Sequence, residues 1–156
     1  MEFVTAITPR LFRSALMLCG DWHLAEDLVQ TTLGKLYVHW GRVSAAQAPE
    51  AYARGALTKE FLSHQRLRRS RELPTGEAPA ELPGAETDDG TRFDLLEALR
   101  ALAPIDRAVV VLRYWEDRSV AETAAALGMT EGAVRTRAAR ALPRLRTVLT
   151  GSEAAS

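Results

Sequence analysis

Residues 119–140, SVAETAAALGMTEGAVRTRAAR, constrain the fold of this chain most, because they contain two helix-start signals on either side of a glycine turn. Ser119 followed by Glu122 is a capping-box pattern, which predicts the start of a helix. Gly128 can adopt a positive φ and end that helix, and Thr130 can cap the next one. The segment therefore predicts a helix-turn-helix.

The second helix of this motif has two chemically different sides at about 100° per residue. Its apolar side is predicted to be core and contains Val134, Ala138, Ala141 and Leu145. The other side, together with the residues at the start of the helix, is predicted to contact DNA. This predicted DNA-binding set comprises Thr130, Glu131, Gly132, Ala133, Arg135, Thr136, Arg137 and Arg140. Small side chains permit close approach to a major groove, and arginine binds phosphate or guanine. Pro143 predicts a kink or an end of the helix.

A solvated basic face on a bundle helix is the alternative interpretation of the five arginines between Arg135 and Arg146. We favour the recognition helix, because no acid accompanies those arginines and a short glycine turn precedes them.

The composition excludes several classes of function. The single cysteine allows no internal disulfide, and the three scattered histidines supply no zinc-ligand set. No apolar run approaches the ~20 residues needed to cross a bilayer, and no secretory pattern opens the chain. A nucleophile with its base, a paired-carboxylate site and a glycine-rich phosphate loop are also missing from the sequence. We therefore expect a cytoplasmic protein that is not an enzyme, with no cofactor, no metal and no membrane insertion.

The charges divide the chain into three parts, although the net charge is zero. Residues 72–90 carry six acids, no base, three prolines and three glycines, which is typical of a flexible linker. The predicted fold is all-α, with two small helical domains, 1–71 and 91–150, joined by this acidic linker. The first domain should be a three- to four-helix bundle, and the second a four-helix domain that contains the helix-turn-helix and a helix opened by Pro104.

Three helices are predicted before the linker. Residues 3–19 form the first, and Gly20 ends it. Asp21 caps the second, which presents Glu26, Asp27 and Gln30 on an exposed polar arc. Residues 41–48 are predicted to be a loop, and the third helix begins at Pro49 and runs into a basic cluster near its end.

Both halves resemble the bacterial sigma factors of the sigma-70 family, specifically the small two-domain extracytoplasmic-function (ECF) group and its actinobacterial SigE-like branch. The sequence LFRSALMLCGDWHLAEDLVQTTLGKLY is similar to region 2, and LLEALRALAPIDRAVVVLRYWEDRSVAETAAALGMTEGAVRTRAARALPRLR is similar to region 4. The resemblance implies an RNA polymerase sigma factor that binds core RNA polymerase and promoter DNA, helps to open the duplex, and can have an anti-sigma factor as a further partner.

The resemblance also assigns roles to residues. It places polymerase binding on Glu26, Asp27 and Gln30, and upstream-element recognition on the second helix of the helix-turn-helix. Residues 41–48 correspond to the loop that captures a flipped base, whose unstacking its contacts can offset. Downstream-element contacts are implied for the basic cluster, which comprises Arg54, Lys59, His64, Arg66, Arg68 and Arg69.

This chain departs from the family pattern at Tyr52 and Arg54-Gly55-Ala56, where a tryptophan and an asparagine are common, so the downstream contacts stay open. Two other functions also stay open. A helix-turn-helix regulator without sigma activity would bind duplex DNA without polymerase. A helical interaction protein would bind polymerase or an anti-sigma factor without recognising DNA.

Overall fold

A computed structural model describes residues 2–70 and 90–155, and the side chains of residues 2–70 and 94–147. Every regular element in these described ranges is helical, which confirms the all-α prediction. The predicted linker 72–90 lies outside the described residues except for Gly90, which begins a helix.

The N-terminal domain consists of four helices: α1 Glu2–Cys19, α2 Trp22–Val38, α3 Trp40–Ala45 and α4 Pro49–Ser70. The three long helices α1, α2 and α4 pack against one another. Their core contains Leu11 and Leu18 of α1, Leu28 of α2, and Leu57 and Phe61 of α4, all at most 3% exposed. The prediction of three amphipathic helices in this part of the chain is therefore confirmed.

The connection between α1 and α2 needs a glycine for two reasons. Gly20 has a φ of +69°, in the left-handed region that ends a helix, and its N–H donates to the carbonyl of Leu16 at 2.7 Å. A Cβ at Gly20 would also lie 2.6 Å from Nε of Arg100 in the C-terminal domain. Asp21 then caps α2 as predicted, because its carboxylate accepts the N–H of His23 at 3.0 Å.

The prediction of a loop over residues 41–48 is wrong in part, because α3 occupies Trp40–Ala45. Val43 is fully buried and anchors this short helix to the core. A six-residue helix depends on such tertiary packing rather than on its own propensity, and one buried side chain gives no periodicity to detect.

The C-terminal domain consists of α5 Gly90–Arg100, α6 Pro104–Val110, a π-helical turn Val111–Trp115, α7 Val120–Leu127 and α8 Glu131–Ala155. Pro104 lies in the first turn of α6, as predicted. The sequence did not predict the π-helical turn, in which the N–H of Glu116 donates to the carbonyl of Val111 at 2.9 Å.

Local chemistry fixes the helix-turn-helix. The hydroxyl of Ser119 accepts the N–H of Glu122, and the carboxylate of Glu122 accepts the N–H of Ser119, both at 3.0 Å. The pKa of Glu122 is lowered because its carboxylate accepts hydrogen bonds from the backbone N–H and the side chain of Ser119 and lies beside the guanidinium of Arg118. Gly128 ends α7 at φ +65°, and the Thr130 hydroxyl accepts the N–H of Ala133 at 3.0 Å. The predicted capping box, glycine turn and threonine cap are all confirmed.

The sequence predicts a kink or an end of the helix at Pro143. An end at Pro143 is wrong, because α8 runs through this residue. The helix continues to Ala155. A proline removes one backbone hydrogen bond, whereas the buried side chains of Ala141 and Leu145 hold the helix against the rest of the domain on either side of Pro143.

The two domains pack directly against each other. Helix α1 contacts α5, α6 and the π-helical turn, and helix α4 contacts α6 and α7. One cluster of buried apolar residues runs from Ile7 and Phe61 in the first domain to Leu99, Val111 and Leu145 in the second. The structure is therefore a closed arrangement, by which we mean α4 covered by α6 and α7.

Candidate nucleic-acid interface

Helix α8 presents the predicted DNA-binding side to solvent. Gly132, Arg135, Thr136 and Arg140 are exposed, and Ala133 is half-buried at the domain surface. On the opposite side, Val134, Ala138, Ala141 and Leu145 are all at most 7% exposed, as predicted. The buried side fixes the orientation of the helix, so its small and cationic side chains face outward together.

Acids do accompany the arginines of α8, which corrects one premise of the sequence argument. Arg135 lies 3.5 Å from Glu131, and Arg137 donates to the carboxylate of Asp106 on α6 at 2.9 Å. The first pair is exposed and weak enough for a phosphate to replace it. The second pair ties α8 to α6, so Arg137 has a packing contact in addition to its place beside the predicted DNA-binding side.

The predicted polymerase-binding residues lie along one exposed line of α2. Glu26, Asp27 and Gln30 are all exposed. The carboxylate of Glu26 accepts the indole N–H of Trp22 at 2.7 Å, which holds it in place. Glu26 and Gln30 border a groove of about 320 Å³ whose apolar walls include Phe12, Val29 and Leu33. This surface combines an apolar groove with acceptors at its edge, which suits a partner that carries basic and apolar side chains.

The basic cluster of α4 does not form one open surface. Arg54 is only 15% exposed, and its guanidinium lies 2.6 Å from the carboxylate of Glu116 and 3.2 Å from that of Glu50. The same Glu116 carboxylate accepts the hydroxyl of Ser14. An arginine predicted to contact DNA is therefore bound to an acid of the other domain.

The rest of the cluster lies further along α4. Lys59, Arg66 and Arg69 border a crevice of about 380 Å³ against Pro104, Ile105 and Leu127 of the C-terminal domain. Arg68 is half-buried. His64 is also half-buried, and its Nδ1 atom is buried without a hydrogen-bond partner. The structure thus brings three of the six predicted basic residues together in this crevice and places a fourth, Arg54, elsewhere in the interface between the domains.

The segment predicted to capture a base lies beside this interface. Ala46 and Ala48 line a cavity of about 470 Å³, together with Tyr52 and Arg54 of α4 and Glu122 of α7. The cavity is mainly bounded by small side chains. It has room for a planar group, and Tyr52 is 39% exposed beside it.

Sequence reasoning missed Arg107 and Glu116. Arg107 is 9% exposed, donates to the carbonyls of Leu18 at 2.6 Å and Leu102 at 3.0 Å, and lies over the ring of Phe61 at 5.7 Å. Burial lowers the pKa of Arg107. The available signal was the run AVVVL that follows Arg107, because a continuous apolar run indicates a helix buried on more than one side, and an arginine inside such a helix must find partners.

Among the described side chains of residues 2–70 and 94–147, no group of three or more potential metal-ligating residues comes together. Residues 2–70 and 90–155 contain no helix that is long and apolar enough to cross a membrane.

The comparisons with known proteins agree with this architecture. The family model described as Sigma-70 region 2 matches residues 3–71, and that described as Sigma-70, region 4 matches residues 92–145. The RNA polymerase sigma-E factor of Streptomyces avermitilis is 41% identical over 150 residues, which cover 93% of this chain and 82% of that protein. The factor of the same name from Streptomyces coelicolor is 40% identical over 150 residues, which again cover 93% of this chain and 82% of that protein.

A solved structure has the same fold. The sigma factor RpoE of Bartonella quintana, crystallised with the anti-sigma factor NepR, has a TM-score of 0.74 and 26% identity, and the match covers 96% of this chain and 95% of that one. The two helical domains, the capped helix-turn-helix and these relatives lead to one conclusion: the chain belongs to the sigma-70 family and is an RNA polymerase sigma factor of the ECF group.

Proposed function

We propose that this sigma factor binds core RNA polymerase through α2 and directs it to promoters whose upstream element is bound by α8 and whose downstream element is bound by α4. It acts in the cytoplasm and has no enzymatic activity of its own. The observation that carries this proposal is the two-sided α8, whose core side is buried and whose outward side holds small, polar and cationic residues after the acid Glu131 at its start.

The upstream contact follows from the geometry of the helix-turn-helix. Gly132 and Ala133 at the start of α8 permit close approach to base edges in the major groove. Arg135 and Arg140 lie beyond them on the exposed side, where each can bind a phosphate or a guanine. Thr130 and Glu131 complete the predicted set, and the positive end of the helix dipole favours a phosphate nearby.

The polymerase contact follows from α2. Glu26 and Gln30 supply hydrogen-bond acceptors at the edge of the groove formed with Phe12 and Leu33. Asp27 adds a third exposed acceptor next to Glu26. Apolar side chains from the polymerase would fill the groove, and its basic side chains would pair with the carboxylates at the rim. Such a rim contributes to orientation and association rate as well as to affinity.

The downstream contact is assigned to α4 and to residues 41–48. The basic residues of α4 comprise Arg54, Lys59, His64, Arg66, Arg68 and Arg69, of which Arg54 is the most fully paired in this structure. The cavity beside Ala46 and Tyr52 has room for a base displaced from the duplex. The cations along α4 would hold the backbone on either side of that base.

The proposed domain limits are 1–71 and 91–150. The first domain then contains the polymerase contact and the downstream contact, and the second contains the upstream contact. An anti-sigma factor is a further proposed partner, because the similar sigma factor of Bartonella quintana was crystallised with one. It would act by covering the α2 groove or the outward side of α8.

The proposed function is tested by reconstituted transcription from genomic promoter fragments with core RNA polymerase. The triple variant Glu26→Ala, Asp27→Ala, Gln30→Ala should lose promoter-specific transcripts because it loses polymerase. Glu97→Ala, which removes an exposed carboxylate from α5, should transcribe like the wild type. Arg140→Ala should keep polymerase binding and lose affinity for the upstream element, by about 1–3 kcal/mol if its contact is a bidentate pair with guanine.

Two outcomes would contradict the proposal. Tight duplex binding without any polymerase-dependent transcription would indicate a helix-turn-helix regulator. Undiminished transcription by Arg140→Ala and Arg135→Ala, together with normal polymerase binding, would indicate an interaction protein that does not recognise DNA.

A further inference from the structure

Trp22, at the start of α2, fixes the position of the Glu26 side chain. Its indole N–H donates to Oε1 of Glu26 at 2.7 Å, one helical turn further along. Its ring packs edge-on against Phe12 of α1, with ring centroids 4.6 Å apart and an angle of 68° between the ring planes. The packing on Phe12 fixes the direction of the indole N–H, and the hydrogen bond then fixes the carboxylate.

Trp22 also connects the apolar and the polar parts of the α2 groove. The spacing of Trp22, Glu26, Gln30 and Leu33 places them on one side of the helix. Phe12 is one of the apolar walls of the groove, and Glu26 and Gln30 border it. One side chain outside the groove lining therefore contacts both a wall and an acceptor of the surface that is proposed to bind polymerase.

The partner of Glu26 is neutral, which distinguishes this carboxylate from three other acids on helix surfaces. In the described part of the chain no cation pairs with Glu26, and an indole N–H is a donor without charge. The carboxylate therefore keeps its full negative charge for a cation of a partner. The three other acids each lie within 3.5 Å of an arginine four residues away, in the pairs Glu50–Arg54, Arg118–Glu122 and Glu131–Arg135.

The hydrogen bond from Trp22 also restricts a side chain that is otherwise free to move. An exposed glutamate samples several rotamers, and a partner that binds it must immobilise it at a cost in affinity. In this structure Trp22 restricts Glu26 before any partner arrives. Because the indole bonds Oε1, Oε2 stays available to accept a hydrogen bond from a basic side chain.

We propose that Trp22 is a positioning residue for polymerase binding, which presents the Glu26 carboxylate, restrained and not neutralised, to a basic side chain of core RNA polymerase. This inference rests on the proposed docking role of α2. It predicts that the effect of Trp22 on polymerase affinity depends on the presence of the Glu26 carboxylate.

The first test is a double-mutant cycle on the affinity of the full-length sigma factor for tethered core polymerase, measured by biolayer interferometry. Trp22→Phe removes the indole N–H and keeps an aromatic ring beside Phe12. It should weaken binding roughly two- to tenfold, because the released Glu26 side chain must then be immobilised on binding. In a Glu26→Ala background the same substitution should cause no further loss, so that the coupling equals the whole effect.

Trp40→Phe is the matched control and should bind polymerase like the wild type. Trp40 also packs on a phenylalanine, with its ring centroid 5.5 Å from that of Phe3, and no described carboxylate accepts its N–H. A merely structural role of Trp22 would weaken binding equally with and without the Glu26 carboxylate. Equal losses in the two backgrounds would therefore overturn the inference, as would wild-type or tighter binding by Trp22→Phe.

The same cycle separates this inference from the proposed function. If Glu26→Ala binds polymerase as tightly as the wild type, the proposed docking role of Glu26 fails, and the inference fails with it. If Glu26→Ala weakens binding and Trp22→Phe does not, the inference alone is wrong.

The second test measures the hydrogen bond in the free protein. Exchange of the Trp22 indole proton with water, followed by NMR, should be slower than that of Trp115, which is 50% exposed. Glu26→Ala should speed exchange at Trp22 several-fold and leave Trp115 unchanged. Unaltered exchange at Trp22 in this variant would show that the hydrogen bond is not populated and would refute the positioning role.

Discussion

Replacing Arg107 by methionine is expected to lower the free energy of unfolding by about 2–4 kcal/mol. Arg107 donates to the carbonyl of Leu18 at the end of α1 and to that of Leu102 after α5, at 2.6 and 3.0 Å. A third contact, to the carbonyl of Arg100, is at the limit of a hydrogen bond at 3.5 Å. A cation at the carbonyl end of a helix is favourable, so one side chain stabilises two helix ends.

The magnitude follows from two opposed effects. Each hydrogen bond from a charged donor contributes about 1.5–3 kcal/mol, which gives roughly 3–6 kcal/mol for the two short ones. Methionine recovers part of this amount, because it removes the desolvation cost that lowers the pKa of Arg107 and keeps an apolar stem over Phe61. The net loss of stability is therefore expected to be about 2–4 kcal/mol, which is less than the two hydrogen bonds alone would contribute.

The assay is urea denaturation followed by circular dichroism and by tryptophan fluorescence, with coincident transitions as the test of two-state behaviour. Arg107→Ala should cost about 1–2 kcal/mol more than Arg107→Met, because it also removes the stem that packs on Phe61. Stability of the methionine variant within about 0.5 kcal/mol of the wild type would refute the argument that these hydrogen bonds stabilise the closed arrangement.

Gly55→Ala should raise stability by up to about 1 kcal/mol through helix propensity, because the added Cβ meets Ala126 at an ordinary contact distance; a loss of stability would contradict this. Ser119→Ala should cost about 1 kcal/mol by removing the α7 cap, and an unchanged denaturation midpoint would argue against it. Because its folded-state pKa is lowered, Glu122 should stabilise the wild type over Glu122→Gln at neutral pH and lose this effect on acidification, as denaturation across pH can measure. Burial raises the pKa of Cys19 from 9.0 to about 11, so the wild type should lose stability relative to Cys19→Ala as pH rises from about 9 to 11; parallel pH profiles would refute this.

Local chemistry explains why much of the fold could be predicted from the sequence. The caps at Asp21 and Thr130 and the turn at Gly128 depend on side chains within three residues of the helix end. The buried side of α8 follows from helical periodicity alone. The same periodicity predicted that Glu26 and its neighbours on α2 are exposed, and the structure agrees.

The contacts between the domains could not be predicted in this way. Ser14 and Glu116 are 102 residues apart, and Arg107 and Leu18 are 89 apart. A hydrogen bond between such positions leaves no periodic pattern in either segment, and a polar residue on a predicted helix looks the same whether it faces water or another domain. The sequence therefore assigns DNA contacts to the basic cluster of α4 without indicating that Arg54 is paired with an acid across the interface.

Under the proposed function, the two-sided α8 separates the determinants of promoter preference from those of folding. Its outward residues, such as Gly132 and Thr136, make few demands on the core, whereas Val134 and Ala138 are almost fully enclosed. Exchanging the outward set for that of another sigma factor should therefore redirect the protein to new promoters with little change in denaturation midpoint. Arg137 is the exception, since its bond to Asp106 makes it part of the scaffold, and it should stay in place in any such exchange.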